Sequence, residues 1–349
     1  MIINDMIKYE NQTIKWIATE FNNGNLYVDD SFQRRYVWLK KHQIRLIETI
    51  LMGYVIPEIY IWKVGTNPDT GDTKFSIVDG QQRIGAIVSF LNGDFKLNKA
   101  YLSEKNANYS GKYFSELTPT EKENIWGYSL SLRKILQDVK REDIVNLFLR
   151  LNSTDKSLNP QELRNAEYDG LFIKNAMEIA RFDFWQKYRV FSADALRRMG
   201  DVEFISSLLI FLRKGIESEI TQSGINQMYD MYNDQYDEAE EDKTNVECIL
   251  NQMDKIVAKD ESGEFAKFVR KNTHLYTIFI AIYKILLKYK NMSGEQIKNI
   301  IEFYSKYENS YDKISMEYRE LFQEGTRAKA NRIRRVKILS DVIEGKIKI

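Results

Sequence analysis

A chain of 349 residues is long enough to bury a sizeable core and, at roughly 150 residues per domain, to form two domains. Its 51 basic and 50 acidic side chains nearly cancel, so net charge gives no argument for nucleic-acid binding and any such surface has to be a local patch. One cysteine, Cys248, and two histidines, His42 and His274, exclude a disulfide framework, a cysteine zinc site and a His-Asn-His nuclease centre built from this chain alone.

The first third mixes strands and helices. Residues 13–22 carry Ile14, Ile17, Ala18 and Phe21 at helical spacing. Leu26-Tyr27-Val28 follows, then a polar loop holding Phe32 to Trp38. Residues 42–52 form an amphipathic helix with Ile44, Ile47, Ile50 and Leu51 on one face, ended by Gly53. Residues 58–64 and 74–78 read as strands joined by a segment dense in turn formers, Gly65 to Asp72, which predicts a hairpin. The second strand breaks at Asp79-Gly80 and turns at once into a helix over 84–91, closed by Asn92-Gly93.

From about Phe114 the pattern becomes helical, at 121–126 and 141–150. After a polar loop at 152–159 another helix begins, with Pro160 suited to its first turn. Further helices are predicted over 173–180, 201–213, 245–258, 275–288, 297–307 and 332–343. The acidic run Asp237 to Asp242 reads as a solvated loop or helix end. The basic stretch with Arg327, Lys329, Arg332, Arg334, Arg335 and Lys337 reads as a docked amphipathic helix, charges outward and Ile333, Val336 and Val342 inward. His42 and His274 read as helix-start or packing residues. The N-terminus lacks the apolar run of a signal peptide, and the longest apolar stretch, 278–287, is interrupted by Tyr283 and Lys284; both point to a soluble cytoplasmic protein.

Four segments hold polar groups that packing does not demand. Gln33-Arg34-Arg35-Tyr36-Val37-Trp38 places arginines and an amide among aromatics, which suits base stacking and phosphate grip as well as an ordinary surface turn. In Asp79-Gly80-Gln81-Gln82-Arg83 a strand feeds a helix N-terminus, whose amides and dipole favour an anion; Gly80 permits close approach, and Gln81, Gln82 and Arg83 add donors. The plainer alternative there is Asp79 as a helix cap and Arg83 paired with a carboxylate. Arg150 and Asn152 end an otherwise apolar helix. Glu162 and Arg164 stand in the first turns of the next, where Glu162 suits a metal ligand, a general base or a carboxylate placed for the helix dipole. No Walker loop, kinase signature or His-Cys pair is present.

In order and spacing, Phe32 to Trp38, Ile77 to Arg83, Phe148 to Asn152 and Leu158 to Ala166 resemble the N-terminal domain of GmrSD-type proteins, over about the first half of the chain. That domain is similar to the ParB/sulfiredoxin fold. The resemblance implies an α+β domain over 1–165, and the helical periodicity beyond it predicts an all-helical domain over 166–349. The resemblance also implies binding, and often hydrolysis, of a nucleoside triphosphate through the Asp-Gly-Gln-Gln-Arg motif, in a bacterial restriction system against phage DNA with modified bases or backbone. The ParB relatives hold a triphosphate with a Gly-Glu-Arg-Arg-type turn at the matching place.

The expected activity is thus that of a nucleoside triphosphatase using GTP, CTP, UTP or ATP with Mg²⁺. Asp79, Gln82 and Arg83 would be catalytic, Asp79 also holding the metal. Gln33, Arg34, Arg35, Tyr36, Gly80, Gln81, Arg150, Asn152, Glu162 and Arg164 would bind the nucleotide. Many relatives continue into a His-Asn-His nuclease domain, and nothing in the second half resembles one. The expected partners are therefore phage DNA and a separate nuclease subunit, with a second copy of the chain as an open alternative and no membrane. Two other readings stay open: a non-catalytic DNA- or partner-binding regulatory module, and a ParB-like nuclease acting alone.

Overall fold

A computed structural model describes residues 3–29, 31–33, 35–153, 158–218, 221–326 and 328–347. They form two compact units, Met1–Glu167 and Tyr168–Ile349. The first contains β1 (Ile7–Thr13), α1 (Ile14–Asn22), β2 (Leu26–Tyr27), α2 (Lys40–Leu51), β3 (Ile59–Thr66), β4 (Thr73–Asp79), α3 (Gln81–Leu91), α4 (Pro119–Gly127), β5 (Ser129–Ile135), α5 (Arg141–Ser153) and α6 (Pro160–Glu167). The strands make one mixed sheet in the order β1-β5-β3-β4-β2, antiparallel at β1–β5 and β3–β4 and parallel at β3–β5 and β2–β4. The predicted hairpin is β3–β4.

Both faces of β4 are covered, and Phe75 to Val78 are buried without a break. Phe75 and Ile77 join one core with Ile14, Ile17, Ile44, Ile47, Ile84 and Ile87 from α1–α3. Val78 points to the opposite face and packs with Phe32, Ile144 and Phe148. Strand alternation thus fixes which layer each residue feeds. Each of these side chains, buried fully, is worth about 1.5–3 kcal/mol. The consequence for the site is that β4 is clamped on both sides up to its last residue, and Asp79-Gly80 emerges from a rigid support.

The second unit is helical: α7 (Leu171–Ile179), α8 (Asp183–Lys187), α9 (Ala193–Arg197), α10 (Gly200–Lys214), α11 (Gln222–Met231), α12 (Ala239–Lys259), α13 (Glu264–Val269), α14 (Asn272–Tyr289), α15 (Gly294–Ser305), α16 (Lys313–Glu320) and α17 (Lys329–Ile343). Its centre is α14, buried at every position from His274 to Ile282, as a helix apolar all round requires. His274 is a packing residue, stacked on Phe322 with ring centroids 3.7 Å apart. Burial, with Lys271 and Arg335 nearby, lowers its pKa to about 3 and keeps it neutral. No described helix is long and apolar enough to cross a membrane.

The acidic run is a helix end, the second of its two readings: α12 starts at Ala239, and Asp237, Glu240 and Glu241 are exposed. Asp242 alone departs from a solvated face, being fully buried and accepting from Arg213 at 2.6 Å and from the Tyr236 hydroxyl. One expectation is corrected here. The α17 arginines do not all face outward. Arg334 pairs with Glu317, but Arg332 and Arg335 are buried beside Val336 and Leu339, because they share the inward stripe. Arg327 lies outside the described residues.

Asp312 caps α16, accepting from the amides of Ile314 and Ser315 at 2.9 Å each and from the Ser310 hydroxyl. Burial opposes its ionisation, but these bonds outweigh burial and hold its pKa at about 2, below the usual 3.8. The cap's contribution is therefore present above pH 4 and lost as pH falls through 2. We expect Asp312→Ala to cost about 1 kcal/mol at pH 7, the usual worth of a cap on an exposed side chain, with the difference from wild type shrinking near pH 2. Urea titrations at both pH values check this; an equal difference at each would refute it.

Candidate functional site

The turn from β4 to α3 is left-handed: Gly80 has φ +105°, and a Cβ there would lie 2.9 Å from Ile59 Cγ1. Both facts demand glycine. Gly80 stands at the helix N-cap with no side chain to cap it, and the first intrahelical bond runs from the Ile84 amide to Gly80 O at 2.9 Å. The helix starts at Gln81, one turn earlier than its apolar periodicity suggests. Amides of such a first turn have no partner within their own helix.

In front of this turn lies a cavity of about 440 Å³, lined by Asp79, Gly80, Gln81, Gln82, Arg83, Gln33, Trp38, Pro57, Phe148, Leu151 and Asn152. That volume is within the range of small-molecule sites. Arg83 and Asp79 form an ion pair one turn apart, with the Asp79 carboxylate one-third exposed. The pairing that the plainer alternative foresaw is present, and it stands inside an open cavity.

Several predicted residues are committed to the protein itself. Gln33 is buried and donates to Ile77 O at 3.0 Å and Val78 O at 2.8 Å, tying its loop to the end of β4. Gln82 is buried too. Its Oε1 accepts from the amides of Val37 and Trp38, both at 2.9 Å, and its backbone carbonyl accepts from the Tyr36 hydroxyl at 3.0 Å. The Tyr36 ring lies against Gly85 of α3, where a Cβ would meet it at 2.5 Å. Gln33, Gln82 and Tyr36 therefore build the wall that holds Trp38 in place.

Glu162 and Arg164 are buried and do not line the cavity. Glu162 Oε2 accepts from the Asn159 amide at 2.7 Å while the Asn159 side chain accepts from the Glu162 amide at 2.8 Å, a reciprocal capping box that starts α6. Of the three readings of Glu162, the helix-start carboxylate is the one with a visible partner. Arg164 Nε donates to Gln161 Oε1 at 2.9 Å. Arg35 and Arg150 are exposed and also off the cavity lining, whereas Asn152 is on it and donates to Phe148 O. Arg34 lies outside the described residues.

Residues 17–168 match the profile of the GmrSD restriction endonuclease, N-terminal domain. The first unit is a GmrSD-type N-terminal domain. It belongs, then, to a restriction-system family. A comparison with curated proteins finds no match.

Within the GmrSD-type domain, the apolar lining residues Trp38, Pro57, Phe148 and Leu151 escaped prediction as site residues. Trp38, Phe148 and Leu151 stood inside the motifs quoted above; Pro57 carries no polar signal. Among the described residues no three His, Cys, Asp or Glu side chains cluster to hold a metal unaided. A lone accessible carboxylate still fits Mg²⁺, which keeps several waters and takes one or two carboxylates together with substrate phosphates. Asp79 is that carboxylate.

Proposed function

We propose that the GmrSD-type domain binds a nucleoside triphosphate with Mg²⁺ and hydrolyses it to the diphosphate and phosphate, serving a restriction system that acts on phage DNA with a separate nuclease subunit. The observation that carries this reading is the uncapped, left-handed glycine start of α3 opening into a cavity that also holds Asp79 and Arg83. Phosphate oxygens would meet the first-turn amides of α3, with Gln81 and Arg83 adding donors. The apolar wall of Trp38, Pro57, Phe148 and Leu151 offers the nucleoside a dry surface. Asp79 would hold Mg²⁺, whose contribution when bound is to neutralise charge on the transferring phosphoryl group. Gln33, Tyr36 and Gln82 act as positioning residues, and Arg35 and Arg150 stand outside as candidates for the DNA backbone.

Purified protein incubated with each NTP and Mg²⁺ should release phosphate, and calorimetry should detect binding of the preferred nucleotide. If no nucleotide binds or is hydrolysed, the reading is lost. Should a DNA mobility shift then appear with steep salt dependence and no response to NTP, the non-catalytic DNA-binding module takes its place.

A further inference from the structure

The helical second unit has a cavity of its own, about 200 Å³, whose wall includes Phe204 of α10, Asn272, Thr273 and Tyr276 of α14, and Arg332 and Arg335 of α17. Arg335 is 1% exposed, so its charge is removed from water. Its Nη1 and Nη2 donate to the carbonyls of Leu321 at 2.8 Å and Thr326 at 2.7 Å, and its guanidinium lies 4.6 Å from the Phe322 ring. Its Nε meets no acceptor, and among the described residues no carboxylate pairs with it. A buried cation answered only by carbonyl dipoles and a ring lacks a counter-charge.

Three neighbours sharpen the point. Arg332, one turn away, is also buried and lines the same cavity, and the carbonyls of Ile216 and Ser218 are among its partners. The 18-residue helix α14 begins at Asn272, and Lys271 before it supplies no side-chain cap, so the positive end of a long helix dipole meets the same cavity. Tyr276 adds no negative charge, since burial raises its pKa to about 12. Among the described residues the one acid in the wall is Glu203, whose carboxylate accepts from Gln222 at 3.0 Å.

We propose that this cavity is a binding site for a small phosphate monoester, its phosphate between Arg335, Arg332 and the first turn of α14 and its organic part against Phe204 and Tyr276. The volume admits a phosphate with a short organic group and is too small for a triphosphate. A helix N-terminus combined with buried guanidinium groups is strong anion-binding chemistry. The site stands apart from the nucleotide reading of the first unit.

The test uses the whole chain carrying Arg83→Ala, which weakens anion binding at the first unit, titrated with inorganic phosphate and with ribose 5-phosphate at constant ionic strength. Saturable binding of ribose 5-phosphate at one site is expected, tighter than inorganic phosphate. Arg335→Gln should weaken it at least tenfold. Because a buried arginine can also hold the fold, Asn272→Asp supplies the decisive variant. An acid in a first helical turn suits the dipole and keeps the fold, yet repels an incoming anion, so the melting temperature should hold while affinity drops at least tenfold. Absence of saturable binding, or binding indifferent to Asn272→Asp, overturns the proposal.

Discussion

Arg83→Ala is expected to lower NTP hydrolysis by on the order of 10³-fold, the lower bound for an arginine that meets transition-state phosphoryl charge. Stability should change by less than about 1 kcal/mol, because the Asp79–Arg83 pair is partly open to solvent. That separation is what marks a functional group rather than a structural one. In the present structure the guanidinium faces Asp79, so nucleotide binding has to exchange one anion for another: Arg83 turns from carboxylate to phosphate, and Asp79 becomes available to Mg²⁺. Asp79→Asn should accordingly tighten Mg²⁺-free NTP binding while slowing hydrolysis. Arg83→Lys keeps the charge but loses the planar fork, and its rate should fall between alanine and wild type. Phosphate release at saturating nucleotide, with urea melts of each variant, checks the set. A wild-type rate in Arg83→Ala would leave the ion pair as a simple strut.

Much of the first unit was legible in its chain. The β3–β4 hairpin followed from turn formers between apolar runs, and α6 begins at Pro160 with the Asn159–Glu162 box behind it. β1 was missed because it is an edge strand whose exposed polar residues give no alternation. β5 does alternate, Leu130 and Leu132 inward and Ser129 and Ser131 outward, but the pattern is brief and lies between helices. The strand-to-helix turn at Asp79-Gly80 was readable since only glycine tolerates its φ.

What the chain does not reveal is where a polar side chain sends its bonds. Gln33 and Gln82 looked like ligand donors, and an amide suited to a base edge is equally suited to two backbone groups. Arg332 and Arg335 looked like solvent-facing charge, although their spacing with Val336 and Leu339 puts them on the buried stripe. Composition favours the outward choice for arginine; the register of one helix decides otherwise.

Gln82 gives the other large expected effect, and it falls first on stability where Arg83's falls on rate. Gln82→Ala should destabilise the first unit by about 2–6 kcal/mol, since the amides of Val37 and Trp38 lose their shared acceptor and each unpaired, partly buried N–H costs about 1–3 kcal/mol. Trp38 would then leave its place in the cavity wall, and trypsin should cut faster after Arg35. Gln82→Glu offers a carboxylate to the same two amides and should recover most of the stability. It also sets a negative charge in the first turn of α3 beside the phosphate site, so nucleotide affinity should stay low even with the loop restored. Denaturation, proteolysis and nucleotide titration together separate the two roles. If Gln82→Ala is as stable as wild type yet inactive, its side chain acts on the nucleotide directly and the positioning role is wrong.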